Sequence, residues 1–240
     1  GIQAEDLIVS PYYKDSNSGD AGQGIKYTLT NDADGTIYIN LTGKASIAAY
    51  ETVIKSITYA NSSDNPSTAP RGVTIAVTDV DANGTNNQTV VHDSKINVIA
   101  VNDAPIVDNA TGKGNEDTPI AVKLTGADVD GTIDHFNLVS APAHGTFYSD
   151  AAGTQPLTNL TNITASNNGA TIYFKPDANW AGDTTFTYTA VDNQNLPAGN
   201  TATGTINVTP VADAPTVTVT NAQGAEDSAI KLDLSAALVD

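Results

Sequence analysis

Apolar residues alternate with small or polar ones in short stretches, the two-residue period of half-buried β-strands. Val73-Thr74-Ile75-Ala76-Val77, Thr171-Ile172-Tyr173-Phe174 and Phe186-Thr187-Tyr188-Thr189-Ala190 carry the pattern. Ile96-Asn97-Val98-Ile99 and Ile206-Asn207-Val208-Thr209 match each other, and Val217-Thr218-Val219-Thr220 opens a further stretch. Between them lie turn signals: Asn31-Asp32-Ala33-Asp34-Gly35, Asn168-Gly169 and Ala181-Gly182-Asp183. Many short strands with regular turns predict an all-β chain of β-sandwiches. One segment breaks the period. After Ser46, a candidate N-cap, Ile47, Tyr50, Val53, Ile54 and Ile57 fall at helical spacing. It predicts a turn or two of helix bridging two sheets, with a looser stretch in its place around Leu157 to Ser166.

The pattern repeats. Glu5-Asp6, Glu116-Asp117 and Glu226-Asp227 are 111 and 110 residues apart. Gly35-Thr36-Ile37-Tyr38 returns as Gly145-Thr146-Phe147-Tyr148, and Asp103-Ala104-Pro105 as Asp213-Ala214-Pro215. A fixed period of this size means tandem domains, each long enough to close its own core. The joints have no Gly/Ser-rich spacer. Val98-Ile99-Ala100-Val101 runs straight into Asn102-Asp103-Ala104-Pro105, and Pro105 and Pro215 hold the preceding residue extended.

Composition narrows the function. The net charge is −17, and 23 of the 27 acidic residues are Asp, a residue of turns and hard-cation sites. Ten Lys and Arg in 240 residues argue against binding nucleic acid or anionic lipid. Cys is absent, which excludes disulfides and thiolate metal sites, and no apolar run is long enough to insert in a membrane. Catalysis is not expected. There is no Cys nucleophile, G-x-S-x-G elbow or phosphate-cradling Gly-rich loop, and the acids sit at domain ends without aromatic subsites.

The acids fall at the joints. Around residue 103 the candidate set is Asp79, Asn102, Asp103, Glu116, Asp117, Asp128 and Asp130. In an extended segment Asp128 and Asp130 point to one side. Ca²⁺ takes six to eight oxygens at about 2.3–2.6 Å, and unpaired carboxylates packed together repel, so a cation is the economical reading. One repeat later Asp192, Asp213, Glu226 and Asp240 match Asp79, Asp103, Glu116 and Asp130. Ala212 stands in place of Asn102 and Leu238 in place of Asp128, which predicts a weaker site. Asp79-Val80-Asp81-Ala82-Asn83-Gly84 resembles the start of an EF-hand loop, but Val90 stands where a bidentate Glu is needed.

These residues carry a resemblance. Val101-Asn102-Asp103-Ala104-Pro105, Glu116-Asp117-Thr118 and Asp128-Val129-Asp130-Gly131 resemble the joint of cadherin-like tandem repeats. Pro142-Ala143-His144-Gly145-Thr146-Phe147, and the run from Tyr173 to Tyr188 that contains Asn179-Trp180-Ala181-Gly182-Asp183, are similar to the bacterial versions found in giant, RTX-type surface adhesins. The resemblance implies tandem cadherin-like, immunoglobulin-type β-sandwiches with one short helix in the first unit. It divides the chain into residues 1–103, a unit lacking its first strand, 104–213, a complete unit, and 214–240, the start of a third. It implies a Ca²⁺-rigidified extender of a secreted or cell-surface bacterial adhesin, of the kind that builds biofilms. The partners would be neighbouring repeats, with host or surface glycans and proteins bound through other domains. A neighbour's tail, from Thr216 to Thr220, could also fill the first unit's missing strand.

Other readings stay open. One unit, with Tyr12-Tyr13, could grip a glycan or peptide, which an aromatic concavity away from the joints would favour. The units could also be spacers of a secreted multidomain enzyme. His92, His135 and His144 have no second His or Cys at ligand spacing and read as surface or turn residues. Trp180 reads as a core or corner plug, and Asp32 and Asp34 as hairpin chemistry.

Overall fold

The computed structural model describes residues 6–9, 18–31, 36–79 and 88–237. Tyr12-Tyr13, Asp32, Asp34, Leu238, Asp240 and the EF-hand-like stretch beyond Asp79 lie outside the described residues. The chain divides into two compact units, Gly1–Val101 and Asn102–Asp240. The all-β fold with one short helix, expected from the strand periodicity, is the fold the described residues adopt.

The first unit contains β1 (Asp6–Val9), β2 (Ser18–Asp20), β3 (Ile25–Asn31), β4 (Ile37–Gly43), helix α1 (Ile47–Lys55), β5 (Thr58–Asn61), β6 (Arg71–Asp79) and β7 (Gln88–Ile96). Its main sheet has the order β2-β3-β4-β6-β7, and β1 pairs with β5. Ser46 caps the helix by accepting from the Ala49 amide at 3.2 Å. Ala49, Tyr50 and Val53 of the helix are buried in one cluster with Ile25, Tyr27, Ile37, Ile39, Leu41 and Val73 of the sheet. Tyr50 Oη donates to the carbonyls of Gly43 and Thr78, tying the helix to β4 and β6. The helix is longer than one or two turns because it has a larger task than a bridge. It spans the crossover between β4 and β6, which pair in parallel and need a long connection.

The second unit is the two-sheet sandwich. Its strands are β8 (Ile106–Val107), β9 (Ala110–Asn115), β10 (Ile120–Ala127), β11 (Ile133–Ser140), β12 (Gly145–Tyr148), β13 (Ile163–Thr164), β14 (Gly169–Pro176), β15 (Gly182–Asp192) and β16 (Ala202–Thr209). One sheet runs β12-β14-β10-β8, the other β13-β11-β15-β16-β9. β9 lies parallel to β16, and the remaining pairs are antiparallel. Alternation delivers the core. Ile120, Val122 and Leu124 face inward from β10, as do Ala202, Ile206 and Val208 from β16. Phe147 meets Phe186 edge-on, with ring centroids 4.9 Å apart. Beyond the sandwich, β17 (Thr216–Val219) pairs with β18 (Leu234–Ala237), and both are exposed along their length.

Two polar ties fasten the entry of the second unit. Asn200 accepts from the Val107 amide through Oδ1 at 2.9 Å and donates to the Val107 carbonyl through Nδ2 at 2.8 Å. Tyr188 Oη donates to the Asp108 carbonyl, with the Thr125 carbonyl also within reach. Burial raises the Tyr188 pKa. Tyr188→Phe strands a carbonyl that is otherwise satisfied, and it lowers the stability of this unit by about 1–3 kcal/mol in urea unfolding.

Candidate metal centre

Strand direction sets which acids meet. β15 ends at Asp192, opposite Ile133 at the start of β11. The loop Asp128-Val129-Asp130-Gly131 precedes β11, so it arrives at the same pole as the entry residues Asn102 and Asp103. The Asp103 amide donates to both oxygens of Asp130 at 3.3 Å. The Asp130 amide in turn donates to Asp128 Oδ1 at 3.3 Å. Asn102 Nδ2 donates to Asp192 Oδ2, and Gln194 Nε2 donates to Asn102 Oδ1. Asn193 locks the two loops together. Its Oδ1 accepts from the Thr132 amide at 3.0 Å, and its own amide donates to the Thr132 carbonyl at 2.9 Å.

Asp192 and Asp128 experience opposite fields. Asp192 is 1% exposed. Burial pushes its pKa up, but hydrogen bonds from Asn102 and the Leu196 and Gln194 amides outweigh this and leave it lowered. Asp128 is raised, first by burial and further by the charges of Asp130 and Asp192, against one opposing amide from Asp130. Its Oδ2 is the one buried side-chain polar atom, among the described residues, without a hydrogen-bond partner. Gly131 keeps that oxygen's surroundings open. A Cβ there would stand 2.7 Å from both Asp128 Oδ2 and Asn193 Oδ1.

Not all of the acids grouped by spacing meet. Glu116 follows β9 and lies at the far pole, where its amide donates to Thr209 O at 3.0 Å and its Oε1 accepts from the Val211 amide at 2.6 Å. β15 spans eleven residues between the poles, so at about 3.3 Å per residue Glu116 is roughly 30 Å from Asp192. The grouping of Glu116 and Asp117 with Asn102 and Asp130 is thereby corrected. So is that of Asp192 with Asp213, since Asp192 belongs to the entry pole. The reason is β9: it runs parallel to β16 and delivers its end where β16 ends. Asp117 is exposed with φ 61°, Asp213 is half-buried and Glu226 is exposed. Asp79, in the first unit, ends β6; burial raises the pKa of Tyr50, and the Asp79 charge raises it further. Sequence reasoning missed Asn193 and Gln194, although the polar run Asp192-Asn193-Gln194-Asn195 was a visible signal. Trp180 is partly buried against the core and stacks on exposed His144, centroids 4.8 Å apart.

Residues 102–209 match the family model of the bacterial Ig domain. No curated protein matches the chain in sequence. Among solved structures, the extracellular cadherin domains 1–5 of protocadherin gamma B2 are similar at 14% identity and TM-score 0.42, over 97% of this chain and 39% of that one. The chain therefore spans well under half the length of that protocadherin fragment. The fibronectin(III)-like modules of CbhA from Clostridium thermocellum align at 11% identity and TM-score 0.28, over 86% of each chain. Domains 4–9 of the surface layer protein SbsC align at 11% identity and TM-score 0.29, over 97% of this chain and 36% of that one.

As a metal site, the entry pole offers the carboxylates of Asp103, Asp128, Asp130 and Asp192 and the amide oxygen of Asn102. Among the described residues no three His, Cys, Asp or Glu side chains already stand as a metal-holding set. Asp192 is already engaged with Asn102, Gln194 and Leu196. The orphaned oxygen of Asp128 and the space over Gly131 fit a hard, oxygen-seeking cation.

The two shifted acids give opposite predictions. Asp128, raised above its ordinary 3.8, stabilises below that value and loses this contribution as pH rises through its folded pKa. Asp192, lowered, stabilises above 3.8 and loses this as pH falls through its folded pKa. Without divalent cations at neutral pH, Asp128→Asn raises Tm and Asp192→Asn lowers it in calorimetry.

Proposed function

We propose that this chain is an extender segment of a secreted or cell-surface bacterial adhesin, stiffened by Ca²⁺ held at the entry pole of its second unit. The observation that carries the reading is the buried, unpartnered Asp128 Oδ2 set among Asp130, Asp192 and Asn102. The ion would be held by Asn102, Asp103, Asp128, Asp130 and Asp192, and it supplies positive charge where acids repel. Asn102 and Asp103 follow directly on the last residue of the first unit. An ion gripping them restrains the segment by which that unit is attached. Glu116, Asp117 and Asp213, toward the opposite pole, would serve the next joint with Glu226 and Asp240.

The energy is adequate. Extracellular modules bind Ca²⁺ at about 10⁻⁴–10⁻³ M. An ion present at about a hundred times its Kd adds roughly 2.7 kcal/mol to the bound form. That exceeds thermal energy several-fold and favours an extended joint over bent ones. The bacterial Ig match over residues 102–209 supports a module of this kind.

Ca²⁺ raises the Tm of the chain, and Asp130→Ala abolishes the rise while Glu116→Gln leaves entry-pole binding intact. Calorimetry with a luminescent lanthanide titration reads both. Chelation also shortens the particle in small-angle scattering, and an unchanged maximum dimension after chelation contradicts the stiffening.

A further inference from the structure

Two matching strands, one in each unit, are covered differently. In the second unit β9 lies on the outer edge of β16, parallel to it, from Gly204 beside Ala110 to Thr209 beside Asn115. The counterpart of that stretch one repeat earlier is residues 94–99, which begin in β7. β7 ends the sheet order β2-β3-β4-β6-β7, and no described strand lies on its outer edge. The consequence shows residue by residue. Ile206 and Val208 are buried, whereas Ile96 and Val98 are half-buried and Ile99 is 85% exposed. β16 stays a strand to Thr209, but β7 stops at Ile96. An open edge of this kind invites a further strand.

The chain also carries a segment shaped to fit it. Residues 220–225 are the counterpart of β9, and they belong to no strand. The turn that follows them already has the geometry found after β9. Asp227 has φ 59° against 61° at Asp117. Ser228 Oγ donates to the Ala225 carbonyl at 2.7 Å, as Thr118 Oγ1 does to the Asn115 carbonyl at 3.0 Å. A Cβ on Gly224 would meet Ile230 Cγ1 at 2.7 Å, as one on Gly114 would meet Ile120 Cγ1 at 2.7 Å. The stretch expected from the sequence to donate, starting at Thr216, is taken up by pairing with β18.

We propose that residues 220–225 of one copy of this chain add to the outer edge of β7 in a second copy. The added strand runs parallel to β7 in the register that β9 takes on β16, with Ile96 beside Ala222 and Ile99 beside Ala225. It covers Ile96 and Val98 and carries the ladder past the present end of β7. Glu226 anchors its end. The counterpart Glu116 donates its amide to the Thr209 carbonyl and accepts from the Val211 amide, which gives Glu226 the Ile99 carbonyl and the Val101 amide. A donor already in shape loses little freedom on binding. The interface is heterologous, so copies join head to tail. It consists of backbone hydrogen bonds and apolar cover and needs no cation, so it stands or falls apart from the Ca²⁺ reading.

Sedimentation equilibrium of the whole chain, in chelator and in Ca²⁺, is the test. Association that grows with concentration up to about 1 mM, the range of a weak interface, is expected in both. The Thr209 carbonyl and the Glu116 amide face each other, so by alternation Asn207 and Gly112 also turn toward the partner strand. Their counterparts are Asn97 and Ala222, neither of them within a strand. Asn97→Pro and Ala222→Pro each remove one N–H from the new ladder. Each should weaken association about tenfold or more and leave the Tm of the monomer unchanged. Mixed in equal amounts, the two variants should recover a dimer and nothing longer, because one still offers the tail and the other the edge. The proposal is overturned if the chain stays monomeric, if association requires Ca²⁺, or if the mixture recovers no dimer. Association that survives Asn97→Pro also overturns it, and points to tail-to-tail contact through exposed Ile230, Leu232 and Leu234.

Discussion

The carboxylate of Asp128 is held where two acidic neighbours oppose its charge and no donor reaches its inner oxygen. A buried polar atom left unpaired costs about 1–3 kcal/mol, and most native structures avoid it. Here the arrangement is built into the sandwich. Asn193 binds the Asp128–Gly131 loop to the end of β15, Asp103 binds Asp130 through its backbone, and Asn200 and Tyr188 fix the strand that follows. The proposed cation resolves the conflict by supplying the charge that the protein itself withholds.

The same strands give the module its polarity. Each long strand of the second unit begins at one pole and ends at the other, so acids on consecutive connections are sorted by the direction of the strand that carries them. Asp192 and the Asp128 loop face the start of the unit, and Glu116 faces its exit beside Val211. Unlike poles on one body suit head-to-tail repetition, in which each exit meets the next entry. The second unit itself is built round an aromatic core.

Much of this was legible in the sequence. The 110-residue period, the strands at Val73–Val77, Thr171–Phe174 and Phe186–Ala190, and the helix after Ser46 are local patterns of apolar spacing and capping. The joint residues Asn102, Asp103, Asp128 and Asp130 could also be grouped, from the clustering of acids and the resemblance to a cadherin-like joint. The pole of Glu116 could not be read, since only pairing tells which way β9 runs. It joins β16 in parallel, a contact nearly a hundred residues away in sequence. The length of α1 was hidden for a related reason. Its extent follows from β4 and β6 lying side by side, which the strand pattern does not announce.

A crystal structure grown with Ca²⁺, with anomalous scattering to place the ion, tests the central claim most directly. The account predicts an ion about 2.3–2.6 Å from Asp128 Oδ2, sharing oxygens with Asp130 and Asn102. A fully loaded crystal in which Asp128 Oδ2 stays unpartnered, or in which Ca²⁺ sits at Glu116 alone, would contradict it.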